Sequence, residues 1–280
     1  MCSWEKFYGE VFGESGGILS IRREWSIALL TFLHRNCKAY TKLFAERRRD
    51  SIRNLGTRGP SCKLESMNYF AHGMRFIDRP YFLAGTALPD WLSVVDRRVR
   101  LRARNASPFA DGSQTPAAEL AAGVLQHLDD DAWFHKSAAF AVASAELTVL
   151  FRDALPSDDG HRPAFLGHIL TEMLLDAVLI DRDPAALTAY YAAFDRLDAE
   201  FVAAAVFRMA QKPTERLRRF IPLFVRERFL ADYRDANRLL FRLNQIMRRV
   251  TLNPLPASFE AALGPARAIV EKHAAGLLPG

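Results

Sequence analysis

The feature that most constrains this fold is a succession of helix-length segments separated by short stretches rich in proline, glycine or aspartate. Apolar residues recur at helical spacing in 163–180. Asp183-Pro184 has the form of a cap followed by proline at the first helical position, and Pro213-Thr214-Glu215 resembles another helix start. Since no strand–helix alternation and no internal repeat accompany this pattern, it predicts an all-α fold, a compact bundle of six to nine helices.

The boundaries of individual helices follow from the same signals. One stretch, Val99–Arg104, alternates apolar residues with arginines and is the single strand-like segment. Asn253–Pro256 has the composition of a linker. The predicted helices besides 163–180 are 117–151, 183–209 with a break near 195–198, 213–250 with at most one break, and 258–275 with Ser258 as its cap.

The first 66 residues differ from the remainder in charge and patterning. They contain 12 Lys and Arg against 7 Asp and Glu, so they carry +5 of the formal net charge of +6. We therefore expect residues 1–66 to be an appended basic segment, either an upstream misreading of the start codon or a flexible extension. The protein proper is expected to begin at Met67, with 67–280 as a single all-α domain. Because the nearly neutral main body accounts for little of the basic pI, nucleic-acid binding is not predicted.

Cysteine positions and hydropathy indicate the cellular compartment of the protein. The cysteines Cys2, Cys37 and Cys62 all precede Met67, and their number and spacing fit neither a disulfide framework nor a zinc or redox motif. No run reaches the ~18–20 apolar residues of a membrane helix. The short run Ile27–Leu33 follows charged residues without a cleavage signal. These observations favour a cytoplasmic protein without a transmembrane segment.

Two polar stripes are the main candidates for chemistry. The segment HLDDDAWFH places His127, Asp131 and His135 at i, i+4 and i+8. The segment HILTEMLLD places His168, Glu172 and Asp176 at the same spacing within an apolar helix. Residues four apart share one helix face. Each stripe therefore predicts a row of ligand-type side chains, although eight residues span about 12 Å, too far for one ion to reach all three members.

Facing stripes would make a site for one or two divalent ions, with His72 and Asp90 adding ligands from the opening segment. We expect metal ligands at His72, Asp90, His127, Asp131, His168 and Asp176, whereas His135 and Glu172 are predicted to support them or act as general base. Imidazole and carboxylate without sulfur suit Mn, Fe or Zn rather than a structural thiolate zinc. The alternative is that each stripe is an ordinary ion-paired helix face.

Arginines form the other candidate group. Those at 97–104 and 238–249 predict either a phosphate clamp and docking face for an acidic protein or an ordinary solvated surface. Arg97, Arg98, Arg100 and Arg242 are the residues expected to hold a substrate phosphate. The chain has no G-x-S-x-G elbow, no Walker A motif and no H-E-x-x-H motif.

The opening of the main body resembles a known family. Its sequence from Met67 to His72, MNYFAH, is similar to the N-terminus of acyl carrier protein phosphodiesterases. The stretch 85–90, the helix 123–135 and the stripe 168–176 occupy places similar to that family's later motifs. The resemblance implies an all-α, HD-type metal-dependent phosphohydrolase with a divalent ion, expected to be manganese. It implies an activity that releases the phosphopantetheine arm from the acidic carrier protein.

Two further hypotheses remain. Ala-Leu-Pro-Asp90-Trp91 and the pair Gly167-His168 also resemble zinc-dependent phospholipase C and its nuclease relatives, which again implies phosphoester hydrolysis. The alternative from another class is a non-catalytic helical scaffold or binding module whose stripes are closed by arginine ion pairs. A metal-dependent hydrolase acting on a phosphodiester or another phosphorylated small molecule is the function predicted.

Overall fold

The structure, a computed structural model, describes residues 68–156 and 160–279. Within these two ranges every regular element is a helix and no strand is formed. The predicted all-α class is therefore confirmed for the described part of the chain. The expectations for residues 1–66 and for a start at Met67 lie outside the described residues.

Eleven α-helices and five short 3₁₀ segments make up the described chain, so the expected six to nine helices were too few. The 3₁₀ segments are Met74–Phe76, Ser107–Phe109, Phe229–Arg234, Ala257–Phe259 and Ala274–Leu277. The α-helices are α1 (Tyr69–Gly73), α2 (Pro80–Val95), α3 (Ala103–Ala106), α4 (Pro116–Phe134), α5 (Ala138–Ala154), α6 (Pro163–Arg182), α7 (Pro184–Phe194), α8 (Ala199–Ala210), α9 (Glu215–Glu227), α10 (Ala236–Arg249) and α11 (Glu260–His273).

Local capping explains why several helices start where they do. The Asp183 carboxylate accepts a hydrogen bond from the Ala186 amide at 3.0 Å, and Pro184 is the first helical residue of α7. This confirms the predicted start. The predicted break near 195–198 is also present, since α8 begins after Asp198, which accepts bonds from the first amides of that helix. Such caps satisfy amides that have no partner inside the helix.

Three expectations about local structure are wrong. The helix expected over 117–151 is interrupted at 135–137, because Ser137 accepts a bond from the Phe140 amide and starts α5 afresh. Ser258 does not cap the last helix, since it lies in a 3₁₀ turn and α11 has no side-chain cap. Val99–Arg104 forms no strand, although Val99 and Leu101 are buried as the alternation predicts.

The helices pack as pairs around the long helix α6. Helix α2 lies along α4, and α5 lies along α6, while α11 covers both α5 and α6. The α2–α4 pair approaches closely where two glycines face one another, since a Cβ on Gly85 would lie 2.8 Å from the Gly123 Cα. One connected set of buried apolar side chains extends from Tyr69 to Leu277.

Helix α6 is long and largely apolar. Among the described helices it is the one that meets the length and hydropathy of a membrane span, and 83% of its most apolar window is buried inside the protein. A buried core helix has the same composition. Its burial places the polar stripe of α6 in the interior, where a charged side chain needs a partner.

Candidate metal centre

Three ligand-type side chains meet where α4 ends beside α6. Glu172 Oε1 lies 3.1 Å from His168 Nε2 and 3.2 Å from His135 Nε2. The two Nε2 atoms of His135 and His168 are themselves 3.2 Å apart. The three atoms therefore form a nearly equilateral triangle.

The size of this triangle suits a single ion. A tetrahedral ion that binds nitrogen and oxygen at about 2.0–2.1 Å holds its ligand atoms about 3.3 Å apart. The observed separations of 3.1–3.2 Å need only a small expansion to reach that value. Two imidazoles with one carboxylate leave further coordination positions open, as catalytic sites require.

Each member of the triangle is positioned by its helix. His168 and Glu172 are one turn apart on α6, and Glu172 is only 1% exposed. His135 is the residue that caps the end of α4. Its Nδ1 lies 2.9 Å from the Asp131 carbonyl oxygen and 3.1 Å from Asp131 Oδ1. Because Nδ1 faces these acceptors, it carries the proton and Nε2 points to the cluster.

The protonation of the metal-free cluster follows from this geometry. Burial opposes the imidazolium of His135, but the carboxylates of Asp131 and Glu172 outweigh it and raise the His135 pKa to about 10. Burial would raise the pKa of Glu172, yet hydrogen bonds from His135 and His168 lower it to about 2. Without an ion, a charged His135 therefore balances the buried Glu172. An ion would replace that proton.

A second buried cluster lies between α1, α2 and α4. His72, Asp90 and His127 are 3%, 1% and 3% exposed. The rings of His72 and His127 are 4.5 Å apart between centroids, and His127 Nε2 lies 3.9 Å from Asp90 Oδ1. Burial and the charge of His72 lower the pKa of His127 to about 3, so His127 is neutral at physiological pH. Neutral imidazole is the form that binds metals.

Asp131 connects the two clusters. It lies one turn after His127 on α4, its carbonyl oxygen accepts a hydrogen bond from His135 Nδ1, and its Oδ1 lies 3.1 Å from the same nitrogen. Burial alone would raise its pKa, but His135, with added contributions from His127 and His72, lowers it to about 2. The predicted stripe of α4 thus spans both clusters, whereas the stripe of α6 contributes only its first two members to the triangle.

Asp176 has a different set of partners. Its carboxylate accepts hydrogen bonds from the backbone amides of Phe70 at 2.9 Å and Ala71 at 2.8 Å. Burial and the charge of Glu172 raise the pKa of Asp176 to about 8 in spite of these bonds. The predicted ligand Asp176 is therefore engaged by the start of α1, and this contact fixes the helix that carries His72.

The predicted phosphate-binding arginines do not share one location with the triangle. Arg98 binds Asp96, with Nε to Oδ1 at 3.1 Å, and Arg100 donates to the carbonyl of Arg97. Arg97, Arg98 and Arg100 are exposed. Arg242 is 13% exposed and binds Asp232 through two nitrogens, at 2.8 and 2.5 Å. Its charge is therefore already matched inside the protein.

Sequence reasoning missed Arg75 and Asp130. Arg75 Nη2 lies 2.9 Å from Asp130 Oδ2, and the same oxygen is 3.8 Å from His72 Nδ1. Arg75 is three residues after His72, a spacing that could have drawn attention to it. Nothing local distinguishes Asp130 from its neighbours in the aspartate run, since its role depends on contact with α1. Asp130 thus lies between Arg75 and the second cluster.

Comparison of the chain with protein-family models, with curated proteins and with solved structures found no match in any of the three. The functional assignment therefore depends on the geometry of the two clusters and on the chemistry of their side chains.

Proposed function

We propose that the protein is a metal-dependent hydrolase of phosphoesters, with one divalent ion held by His135, His168 and Glu172. The equilateral triangle of their ligand atoms carries the proposal. This assignment changes the roles expected for His135 and Glu172, since atoms at these distances suit direct ligands better than a general base. Manganese, iron or zinc fits two imidazoles and one carboxylate.

His72, Asp90 and His127 form the second ligand group of this proposal. Their nearly complete burial and the neutral imidazole of His127 favour a second ion. Bound ions would supply Lewis acidity and lower the pKa of a coordinated water towards neutrality. Asp131 would hold the tautomer of His135, and Asp176 would hold the helix that carries His72.

Phosphoesters are the proposed substrates because an arginine borders an open groove near the second cluster. The groove has a volume of about 560 Å³, within the range of small-molecule sites, and Arg75 and Arg196 lie on its wall. Asp78 is also on this wall. Arg75 pairs with Asp130, whose Oδ2 lies 3.8 Å from His72 Nδ1, so this ion pair connects the groove to the second cluster. The phosphopantetheine arm of an acyl carrier protein is the specific substrate suggested by the opening sequence, and an HD-type arrangement is part of the same proposal.

A structural role for the triangle is the second candidate. The raised pKa of His135 and the lowered pKa of Glu172 indicate that these two residues form an ion pair without a bound metal. A scaffold of this kind would bind no stoichiometric metal. Loss of either partner would then lower stability alone.

Metal content of the full-length protein distinguishes the two candidates. Elemental mass spectrometry should find near-stoichiometric Mn, Fe or Zn in the wild type and a large loss in His168→Ala. His161→Ala is the matched control, because His161 lies outside both clusters and contacts the Pro254 carbonyl at 3.3 Å. A folded wild type that takes up no metal after reconstitution with each ion would exclude the hydrolase and leave the scaffold.

Phosphodiesterase activity should require the bound metal. Bis(4-nitrophenyl) phosphate tests general phosphodiesterase activity, and holo acyl carrier protein tests the specific substrate. Arg75→Ala should raise KM more than it lowers kcat if the groove binds the phosphate, while metal content stays unchanged. Metal-loaded protein that cleaves neither substrate would contradict the phosphoesterase assignment without affecting the metal centre.

A further inference from the structure

A separate cavity lies where α9, α10 and the 3₁₀ segment Phe229–Arg234 meet the ends of α1 and α2. Its volume is about 40 Å³, and it is partly open to solvent. About three water-sized groups fit such a space, since one water requires roughly 10–15 Å³. Its apolar wall includes Tyr69, Met173, Phe220, Phe229, Tyr233 and Ile246.

One buried donor in this cavity has no hydrogen-bond partner. Gln245 lines the cavity and is 5% exposed, and its Nε2 makes no hydrogen bond within the described chain. Its other amide atom, Oε1, lies 3.4 Å from Arg242 Nη1. Because a guanidinium can only donate, this contact orients the amide with its NH₂ group away from Arg242. A buried amide donor without an acceptor is costly.

The wall of the cavity offers donors and no competing acid. Arg242 and Arg249 belong to it, and none of its lining residues is acidic. The guanidinium of Arg242 is already paired with Asp232, so Gln245 is the donor available to a ligand. The pKa of Tyr233 is raised well above its usual value by burial, so this side chain stays neutral. A mainly apolar wall with one unsatisfied donor suits a singly charged head better than a strongly hydrated dianion.

We propose that this cavity binds the carboxylate head of a small monocarboxylic acid, with Gln245 Nε2 as donor. A carboxylate group has three heavy atoms, which matches the space available. The chain of the acid would leave through the open side of the cavity. This site is independent of the proposed metal centre, since it shares no residue with either histidine cluster.

Binding of hexanoate to the full-length protein tests the proposal. Calorimetry and ligand-detected NMR should show binding of hexanoate to the wild type, and Gln245→Met should weaken it at least about tenfold, because a hydrogen bond to a charged group is lost. Met keeps the shape of Gln without the donor. Arg248→Ala is the control, since Arg248 is exposed on the same helix and does not line the cavity.

Two comparison ligands test which chemical group the site recognises. Hexanol has the tail without the charge and should bind far more weakly, and inorganic phosphate should not displace hexanoate. Gln245→Glu keeps an acceptor towards Arg242 but repels a carboxylate, so it should abolish binding even if Gln245→Met fails to fold. Absence of hexanoate binding to the wild type, binding by the Gln245 variants as tight as that of the wild type, or equal binding of hexanol would overturn the proposal.

Discussion

Glu172 and Asp176 lie one turn apart on α6, yet their carboxylates have different partners. Glu172 is within 3.2 Å of two histidine nitrogens. Asp176 accepts hydrogen bonds from two backbone amides at the start of α1. Both carboxylates are buried, and a buried carboxylate needs such partners. Two acidic residues one turn apart on the same helix therefore support a candidate ligand in one case and a helix start in the other.

Asp176→Ala should destabilise the protein by about 2–6 kcal/mol, because two buried amides lose their acceptor at about 1–3 kcal/mol each. Asp176→Asn keeps an acceptor oxygen and should cost less. Urea unfolding measures the loss, and hydrogen exchange of the Phe70 and Ala71 amides should accelerate.

Asp129→Ala serves as the control for this pair of variants, because Asp129 is exposed on α4. If Asp176→Ala removed bound metal without lowering stability, Asp176 would be a ligand, as the stripe predicts, and its capping role would be secondary.

At the level of helices, glycine controls how closely α2 and α4 approach. A Cβ on Gly123 would collide with the carbonyl oxygen of Phe82, and a Cβ on Gly85 would collide with that of Leu120. Backbone atoms cannot move aside as a flexible side chain can. Asp90 lies on α2 and His127 on α4, so the spacing of this helix pair also sets the geometry of the second cluster.

Gly123→Ala should lower the free energy of unfolding by roughly 2–4 kcal/mol, since the added methyl group forces the two helices apart. Gly264→Ala is the matched control. Gly264 also lies within a helix, but its added Cβ would have nothing within 4 Å. That variant should gain about 0.5–1 kcal/mol from higher helix propensity. Equal effects in thermal unfolding would show that the α2–α4 contact is looser than described.

The elements that sequence analysis predicted correctly have local signals. Asp183-Pro184 marks the start of α7 because a cap and a proline act within one turn. The interruption at 135–137 also has a local signal in Ser137, but the apolar spacing that continues through it concealed the new start. Helix spacing likewise gave the two stripes, since residues four apart must share a face.

What spacing could not predict is which stripe members meet. The α4 stripe divides, so that His127 faces α1 and α2 while His135 faces α6. The partners of Asp176 are residues 106 and 105 positions away in the sequence. Such contacts depend on the packing of distant helices, which no local pattern contains. The close approach of Gly85 and Gly123 likewise depends on how two distant helices pack.

For the whole molecule, Asp181 connects the core to the C-terminal region. At the end of α6 it accepts hydrogen bonds from Arg234 of a 3₁₀ segment and Arg267 of α11. Burial opposes the charge of Asp181, but these two guanidinium groups outweigh it and lower its pKa. One carboxylate therefore links three elements that are distant in sequence.

The contribution of Asp181 should depend on pH. Because its pKa is lower in the folded protein, its stabilisation is present above the ordinary Asp pKa of about 4 and is lost as pH falls through the lowered value. Asp181→Asn should cost about 1 kcal/mol or less at pH 7, since the carboxylate is 30% exposed. The difference from the wild type should shrink towards pH 3 in denaturant titrations.

Asp153→Asn, at an exposed position of α5, is the control for removing an aspartate charge. A loss in Asp181→Asn that stayed constant down to pH 3 would mean that packing, rather than charge, explains the effect.

The contact between His135 and His168 joins positions separated by 33 residues. The cysteines of this chain lie at positions 2, 37 and 62, so no disulfide can link α4 to α6. An ion shared by the two histidines would close that loop as a crosslink does and remove roughly 3–4 kcal/mol of chain entropy from the unfolded state. Unlike a disulfide, this crosslink could be removed by a chelator. The free energy of unfolding would therefore depend on the concentration of free ion.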